Sequence, residues 1–511
     1  MKVIFMNKDI ISTIVVMLSV FLSRIMGFVK IKVFSYYFGA NLEADIFNYV
    51  FNIPNNLRKI ISEGAMTSAF MPEFTHERNK SSRHAISFFR SVTTFNIISI
   101  SFISFIMIIF SSQIIHYVSF YREGDLELAS HMFNYLILYI LLISLASIFA
   151  SVLNSYKVFF IPSIAPIMLS ISIILSIFLF YDQYGIYSAV IGVLVGGVFQ
   201  FLIQLINCIF IGVTYVPVFS FNAPAFLRFL KRWSYMILSA LLSIITQQIS
   251  FALASTLEIG SVSVLSNAIV YYQLPVGIFY VSISTVIFPK MAEYASLGNR
   301  KKLNDILNQG IDILILLLVP ISFLMYIWAG PILNLLLTGG KFSIHDTKRT
   351  ISVLQYFLVG LTFSSIFGFF QKYYFSIRDS RTPLYSNILF SVIDILISVF
   401  GINLFKVDIL PLAQSISFAI CVVIFYFVGL RSGMRLEIAR SVVAFMKACS
   451  SLIPLYLVYM VFKDFRWDIG FSFNNFCLLS FAGAISIVIL VVCYYFLGII
   501  NFFKYANREI V

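Results

Sequence analysis

Apolar runs of about 20 residues recur from one end of the chain to the other, roughly fourteen in all, with only short polar loops between them. Each run is long enough to cross the hydrocarbon layer of a bilayer, and there are too many of them to bury in one soluble core. Of the 511 residues 60% are hydrophobic and only 11% are charged, too little charge for the surface of a soluble protein of this length. The expected fold is an all-α integral membrane protein of about 14 transmembrane helices. Its spans are expected near 10–38, 43–72, 85–111, 128–155, 161–181, 185–213, 223–255, 262–289, 303–329, 347–376, 383–404, 407–430, 440–462 and 474–503. No loop is long enough to hold a separate soluble domain.

The net charge of +13 follows the membrane rather than a nucleic-acid-binding face, so no nucleic-acid partner is expected. With the N-terminus placed in the cytoplasm, alternate loops and both termini hold about 20 Lys and Arg against about 7 on the other side, the asymmetry of the positive-inside rule. Both termini are therefore expected to be cytoplasmic. The first apolar run continues into SRIMGFVK without a small-residue cleavage site and is expected to be retained as a helix. The five cysteines, Cys208, Cys421, Cys449, Cys477 and Cys493, lie in or beside apolar runs without metal-ligand spacing. The scattered histidines form no metal motif and no nucleophile–base pattern stands out, so neither a metal, a cofactor nor catalysis is expected.

The chain repeats itself. SIFASVLNSYKVFFIP at Ser147 matches SIFGFFQKYYFSIRDSRTP at Ser365, 218 residues later; AFMPEF around Pro72 matches IFPKMA around Pro289; IPNN at Pro54 matches LPVG at Pro275. Near-constant offsets in one order imply two parallel six-helix lobes, 1–217 and 218–436, followed by two extra helices in 437–511. Two lobes around a central cavity is the usual plan of a carrier that rocks about the membrane midplane.

Charges inside the spans concentrate in the first lobe. Arg24 and Lys30 lie in span 1; Asp45, Arg58, Lys59 and Glu63 lie in or beside span 2, where Pro54 is expected to kink or break the helix before Arg58. An intramembrane cation is costly and generally faces a protein interior or a wet cavity. These charges could simply pair with one another, Asp45 with Arg24 or Arg58 and Glu63 with Lys59. The repeat offset, however, carries Arg24, Lys30, Asp45 and Arg58 onto Leu242, Gln248, Ser263 and Phe279, an asymmetry that a mere scaffold does not need. A cationic pocket supplied by one lobe suits an anionic ligand, and arginine forks suit phosphate. Asp394, with Ser398 one turn on, is a candidate ion-coupling pair; Asp312 is a weaker one. GVLVGG at Gly192–Gly197 fits close helix packing, since it lacks the strand-to-helix context of a nucleotide loop.

At SRIMGFVK, FGANLEADIF, IPNNLRKIISEGAMTSAFMPEF, GGKFSIHDT and SIRDSRTP the chain resembles the MurJ (MviN) family of lipid II flippases, within the multidrug/oligosaccharidyl-lipid/polysaccharide transporter superfamily. The resemblance implies fourteen helices, with the last pair forming a groove for the lipid tail. It implies that Arg24, Lys30 and Arg58 bind substrate, with Asp45 and Glu63 as acidic companions. The implied partners are lipid II and membrane lipids, the implied location the cytoplasmic membrane of a bacterium, and the protein is expected to be monomeric. Lys30 replaces the usual arginine of the family, Ile269 and Val270 replace an acid and an arginine in span 8, and Ser250 stands where a sodium-binding carboxylate would be expected. Two other readings compete. A polysaccharide-lipid or drug exporter of the same superfamily shares the helices, but drug exporters of that type bind cations and call for acidic cavities. A polyprenyl-phosphate enzyme calls for acidic surface loops, and those of this chain are short and mainly basic.

Overall fold

A computed structural model describes residues 19, 22–58, 65–119, 123–377, 379, 381–463, 465 and 470–497. Among these the chain is helical with no strand beyond one isolated bridge between Gly339 and Phe342, and each of the fourteen expected spans coincides with helix. Among the described residues nine helices are long and apolar enough to cross a membrane, ten if one bent pair is a single span; the chain is a multi-pass membrane protein. The compact units are Met1–Ser263 and Val264–Val511.

In the first unit, α1 (residues 22–38) leads through Gly39, at φ 70°, into α2 (Leu42–Arg58). Asn41 caps α2 by accepting the Ala44 N–H at 2.8 Å. Of the break or kink expected before Arg58 the break does not occur: α2 continues through Pro54 to Arg58. There follow α3 (Ala65–Lys80), α4 (Ser82–Ile109), α5 (Ser111–Val118), α6 (Glu123–Leu136), α7 (Leu138–Ser155), α8 (Phe160–Tyr184), α9 (Tyr187–Phe210) and α10 (Pro224–Ser255), the last opened by Pro224, whose missing N–H costs nothing in a first turn. Helices α8 and α9 pack almost backbone to backbone. A Cβ on Gly192 would lie 2.6 Å from the Ile173 Cα, and one on Gly196 2.8 Å from the Leu169 Cα. That is the close packing expected of GVLVGG. An aromatic core built on Phe70, Phe74, Phe89, Phe149, Phe229 and Trp233 joins α3, α4, α7 and α10.

In the second unit, α11 (Ser261–Pro275, which begins in the first) passes through a π-turn at Val276–Tyr280 into α12 (Val281–Ser296). Next come α13 (Arg300–Leu336), α14 (Ile344–Val359), α15 (Leu361–Ser376), α16 (Arg381–Phe405), α17 (Ile409–Arg431), α18 (Ile438–Ser450), α19 (Leu452–Phe462) and α20 (Phe473–Phe496). The starts are chemically marked: Asn299 caps α13, Ser343 and Asp346 form a reciprocal capping box on α14, and Asp379 accepts the Arg381 and Thr382 N–H groups at the head of α16. Helices α14 and α15 meet at Gly360 with a 44° bend. The 37 residues of α13 extend about 55 Å, well beyond a 30 Å hydrocarbon layer, and its first three turns are polar accordingly. Trp328 near its far end packs with Val458, Phe462 and Ala482 of α19 and α20, which fastens the C-terminal helices to the unit.

Candidate functional site: a cation cluster on the first two helices

Helices α1 and α2 touch through Phe34 and Phe47, whose ring centroids are 5.1 Å apart. Arg24 is exposed on α1 and makes no ion pair among the described residues; Lys30, almost two turns on, is half-buried. The Lys30 ammonium and the Arg58 guanidinium are near enough to repel each other, so the structure brings together two of the three predicted cations. Arg58 is held at the end of α2 by donating from Nε to Asn55 Oδ1, one turn back, at 3.2 Å. Glu63 and Lys59 lie outside the described residues.

Asp45 does something other than neutralise this cluster. It is buried, and its carboxylate accepts the Gly260 N–H at 2.6 Å and the Ser263 N–H at 2.8 Å, capping α11 from outside; Asn48 adds a hydrogen bond to Ser263 Oγ at 3.1 Å. Asp45 is thus not a counter-ion of Arg24 or Arg58. It is occupied by backbone dipoles, which satisfy a buried carboxylate without cancelling a distant positive charge. Its partner Ser263 is the residue to which the repeat offset carries Asp45 itself.

The second half of α3 holds charged groups that bind neighbouring helices. Glu73 and Glu77 are buried; Arg228 of α10 donates from Nε to Glu73 Oε1 at 2.8 Å, again through Nη2, and reaches Glu77 at 3.3 Å, while Arg232 stands 3.8 Å from Glu73. Arg78 donates to the Ser155 carbonyl at 2.6 Å and covers the Tyr156 ring at 4.7 Å. These arginines fasten α3 to α10 and α7. The four-residue spacing of Glu73 and Glu77, which puts both on one helix face, was the available signal.

Two carboxylates in the second unit part company. Asp312 on α13 forms an ion pair with Arg440 at 2.6 Å and accepts from Ser441 Oγ at 3.0 Å. One and two turns earlier, Asn308 bonds the Arg435 carbonyl and the Glu437 N–H, both at 2.9 Å, and Asn304 bonds the Gly433 carbonyl at 3.2 Å. The stripe Asn304, Asn308, Asp312 therefore clips the link before α18 onto α13, and Asp312 is structural. Asp394 and Ser398 are buried on α16, 3% and 1% exposed on a helix whose other faces are mostly open, and neither Asp394 Oδ1 nor Ser398 Oγ has a hydrogen-bond partner among the described residues.

The many-span helical architecture is that of a membrane transporter. The fold is shared with an inward-facing multidrug resistance MATE family transporter of the MOP superfamily, at a TM-score of 0.66 and 14% identity over 80% of this chain and 94% of that one. Within that class the resemblance narrows. The profile of the family described as lipid II flippase MurJ matches residues 34–501, and the chain belongs to that family. It is 64% identical, over 99% of its length and 100% of the relative's, to a probable lipid II flippase MurJ of Borreliella burgdorferi (strain ATCC 35210 / DSM 4680 / CIP 102532 / B31). A solved lipid II flippase MurJ in an inward closed conformation matches 96% of this chain and 100% of its own, at 27% identity and a TM-score of 0.78.

Proposed function

We propose that this protein carries lipid II, the undecaprenyl-pyrophosphate-linked disaccharide-peptide of peptidoglycan synthesis, from the inner to the outer leaflet of a bacterial cytoplasmic membrane by alternating access. Family membership supports the substrate, and one observation on this chain carries the mechanism: Arg24, Lys30 and Arg58 lie on two adjoining helices while the buried acid between them, Asp45, is committed to capping α11. Asp45 is therefore not what offsets these cations, whose guanidinium and ammonium groups suit a pyrophosphate. In this reading 1–217 and 218–436 are the rocking lobes, 437–511 supplies the groove for the polyprenyl tail, both termini are cytoplasmic, and the carrier acts as a monomer. Glu63 completes the site as an acidic companion of the cations. Asp394 and Ser398, buried without donors or acceptors at Oδ1 and Oγ among the described residues, are the place for a coupling proton or cation.

The test is a leaflet-accessibility assay for lipid II in cells that depend on this chain. Arg24→Ala or Arg58→Ala should lower transport about a hundredfold, the cost of about 3 kcal/mol of lost charge-assisted hydrogen bonding, with normal amounts of protein in the membrane. Lys30→Arg should remain active. Undiminished lipid II exposure after depletion, with no second flippase present, would sink the proposal.

A further inference from the structure

The span formed by α11 and α12 changes its hydrogen-bond register at one place. Pro275 offers no N–H to the Tyr271 carbonyl four residues back, so the next donor along the chain is the Val276 N–H, five residues on. The five-residue register is the one that follows: Val276–Tyr280 form a π-turn, closed by the Val281 N–H donating to the Val276 carbonyl, with Gly277 inside it. Such a turn is an α-helix that has absorbed one extra residue, and turns of this kind gather at functional sites.

The extra residue decides which side chains share a face. Tyr272 and Tyr280 would stand about 80° apart on an unbroken α-helix; with one residue taken up by the wide turn the angle falls to about 20°. Both accordingly meet α15. The Tyr272 and Ser364 hydroxyls share a hydrogen bond at 2.8 Å, and the Tyr280 ring fills a notch at Gly368, where a Cβ would lie 2.8 Å from its Cζ. Beyond the turn α12 is lightly held. Of its 16 residues only Ser284, Ile287 and Met291 are buried, one stripe at helical spacing, and Ile287 rests on a second glycine, Gly310 of α13, where a Cβ would lie 3.2 Å from its Cδ1.

Neither register is free of cost here: the α form denies the Tyr271 carbonyl its donor, and the π form is intrinsically the rarer one. The internal repeat displays both. Pro54, the counterpart of Pro275, lies in α2, which stays α-helical through to Arg58. We propose that the π-turn closes to the α register in the carrier's other state, turning α12 by about 100° against α11 and shifting it about 1.5 Å along its axis. The movement takes Tyr280 out of the Gly368 notch and swings the stripe Ser284, Ile287, Met291 away from its present neighbours, while α11 stays fastened at Tyr272. The inference rests on the alternating-access reading above and names an element that alternates.

Electron–electron distance measurements test it, on full-length protein in lipid with its native cysteines replaced by alanine and nitroxides at Thr285→Cys on α12 and Tyr326→Cys on α13. This parent should show two separations differing by up to about 8 Å, the chord of a 100° turn at side-chain radius, and added lipid II should change their ratio at least twofold. Deletion of Gly277 leaves Tyr272 and Tyr280 on one face of a plain α-helix with no residue to release. It should give a single separation and lower transport at least tenfold in the leaflet assay, with normal amounts of protein in the membrane. A deletion variant that transports like its parent would overturn the proposal, and so would a transporting parent with one separation whether or not lipid II is present. If the deletion variant does not reach the membrane, the parent's separations decide alone. Two separations in a parent that moves no lipid II would keep the register switch and strike the substrate instead.

Discussion

Helices α13 and α16 each bury one aspartate, and the two are opposites. Asp312 is met by Arg440 at 2.6 Å and by Ser441, whereas the Oδ1 of Asp394 is met by no donor among the described residues. Burial alone therefore says little about what a membrane carboxylate is for. A satisfied one is part of the scaffold, and its removal takes from Arg440 its nearer carboxylate and from the Ser441 hydroxyl its acceptor. An unsatisfied one weakens the resting protein, and a chain that keeps it gains something other than stability. Asp45 is a third case, buried like the other two but stabilised by the amide dipoles at the start of α11.

The comparison can be broken by substitution, and the largest effect is expected at Asp312. Asp312→Ala should destabilise the protein by about 3 kcal/mol, because Arg440 loses its buried partner and the clip before α18 loses its last point of attachment. Thermal unfolding followed by a fluorescent thiol or tryptophan probe should show it, with α18–α20 becoming protease-sensitive first. An unchanged melting curve would put Asp312 in the same class as Asp394. At Asp45 the expected loss is about 1–2 kcal/mol for Asp45→Ala and less for Asp45→Asn, whose amide oxygen can still accept from Gly260 or Ser263. Equal losses would mean that charge rather than capping geometry is what α11 uses.

Asp394→Leu should act with the opposite sign, raising stability by about 1 kcal/mol while lipid II transport falls. A variant both destabilised and active would remove Asp394 and Ser398 from the ion-coupling proposal. The smallest effect is expected at Asp379, in the loop ahead of α16. Partial burial works upward on its carboxyl, but hydrogen bonds from the Thr382 hydroxyl and from the Thr382 and Arg381 N–H groups outweigh it and hold the group below the usual carboxylate range. Because the folded value is the lower one, the cap contributes fully above the unfolded value of about 4 and is lost as pH falls through the folded one. The stability difference between wild type and Asp379→Ala should therefore be constant from neutral pH down to about 5 and shrink in more acid solution.

The membrane spans, the helical class and the close packing of GVLVGG were legible in the sequence because each rests on local regularities: run length against bilayer thickness, and small residues at helical spacing. The family, too, was legible in short motifs around Arg24, Arg58 and the SIRDSRTP turn. The partners of the charges were not. Asp45 is bonded 215 and 218 positions away, Glu73 meets Arg228 at a separation of 155, and Ser441 reaches Asp312 at 129. Nothing in the composition around these residues distinguishes a capping, a paired and an unsatisfied carboxylate. The behaviour of the prolines was equally a tertiary outcome. The repeat matched Pro54 with Pro275, yet α2 continues through the first while a π-turn follows the second, because a helix can pass a missing N–H wherever its neighbours hold the flanking turns. Sequence by itself determined which segments cross the membrane and where charge is concentrated; only the fold decided which of those charges are neutralised, since electrostatic pairing depends on distances that chain separation does not encode.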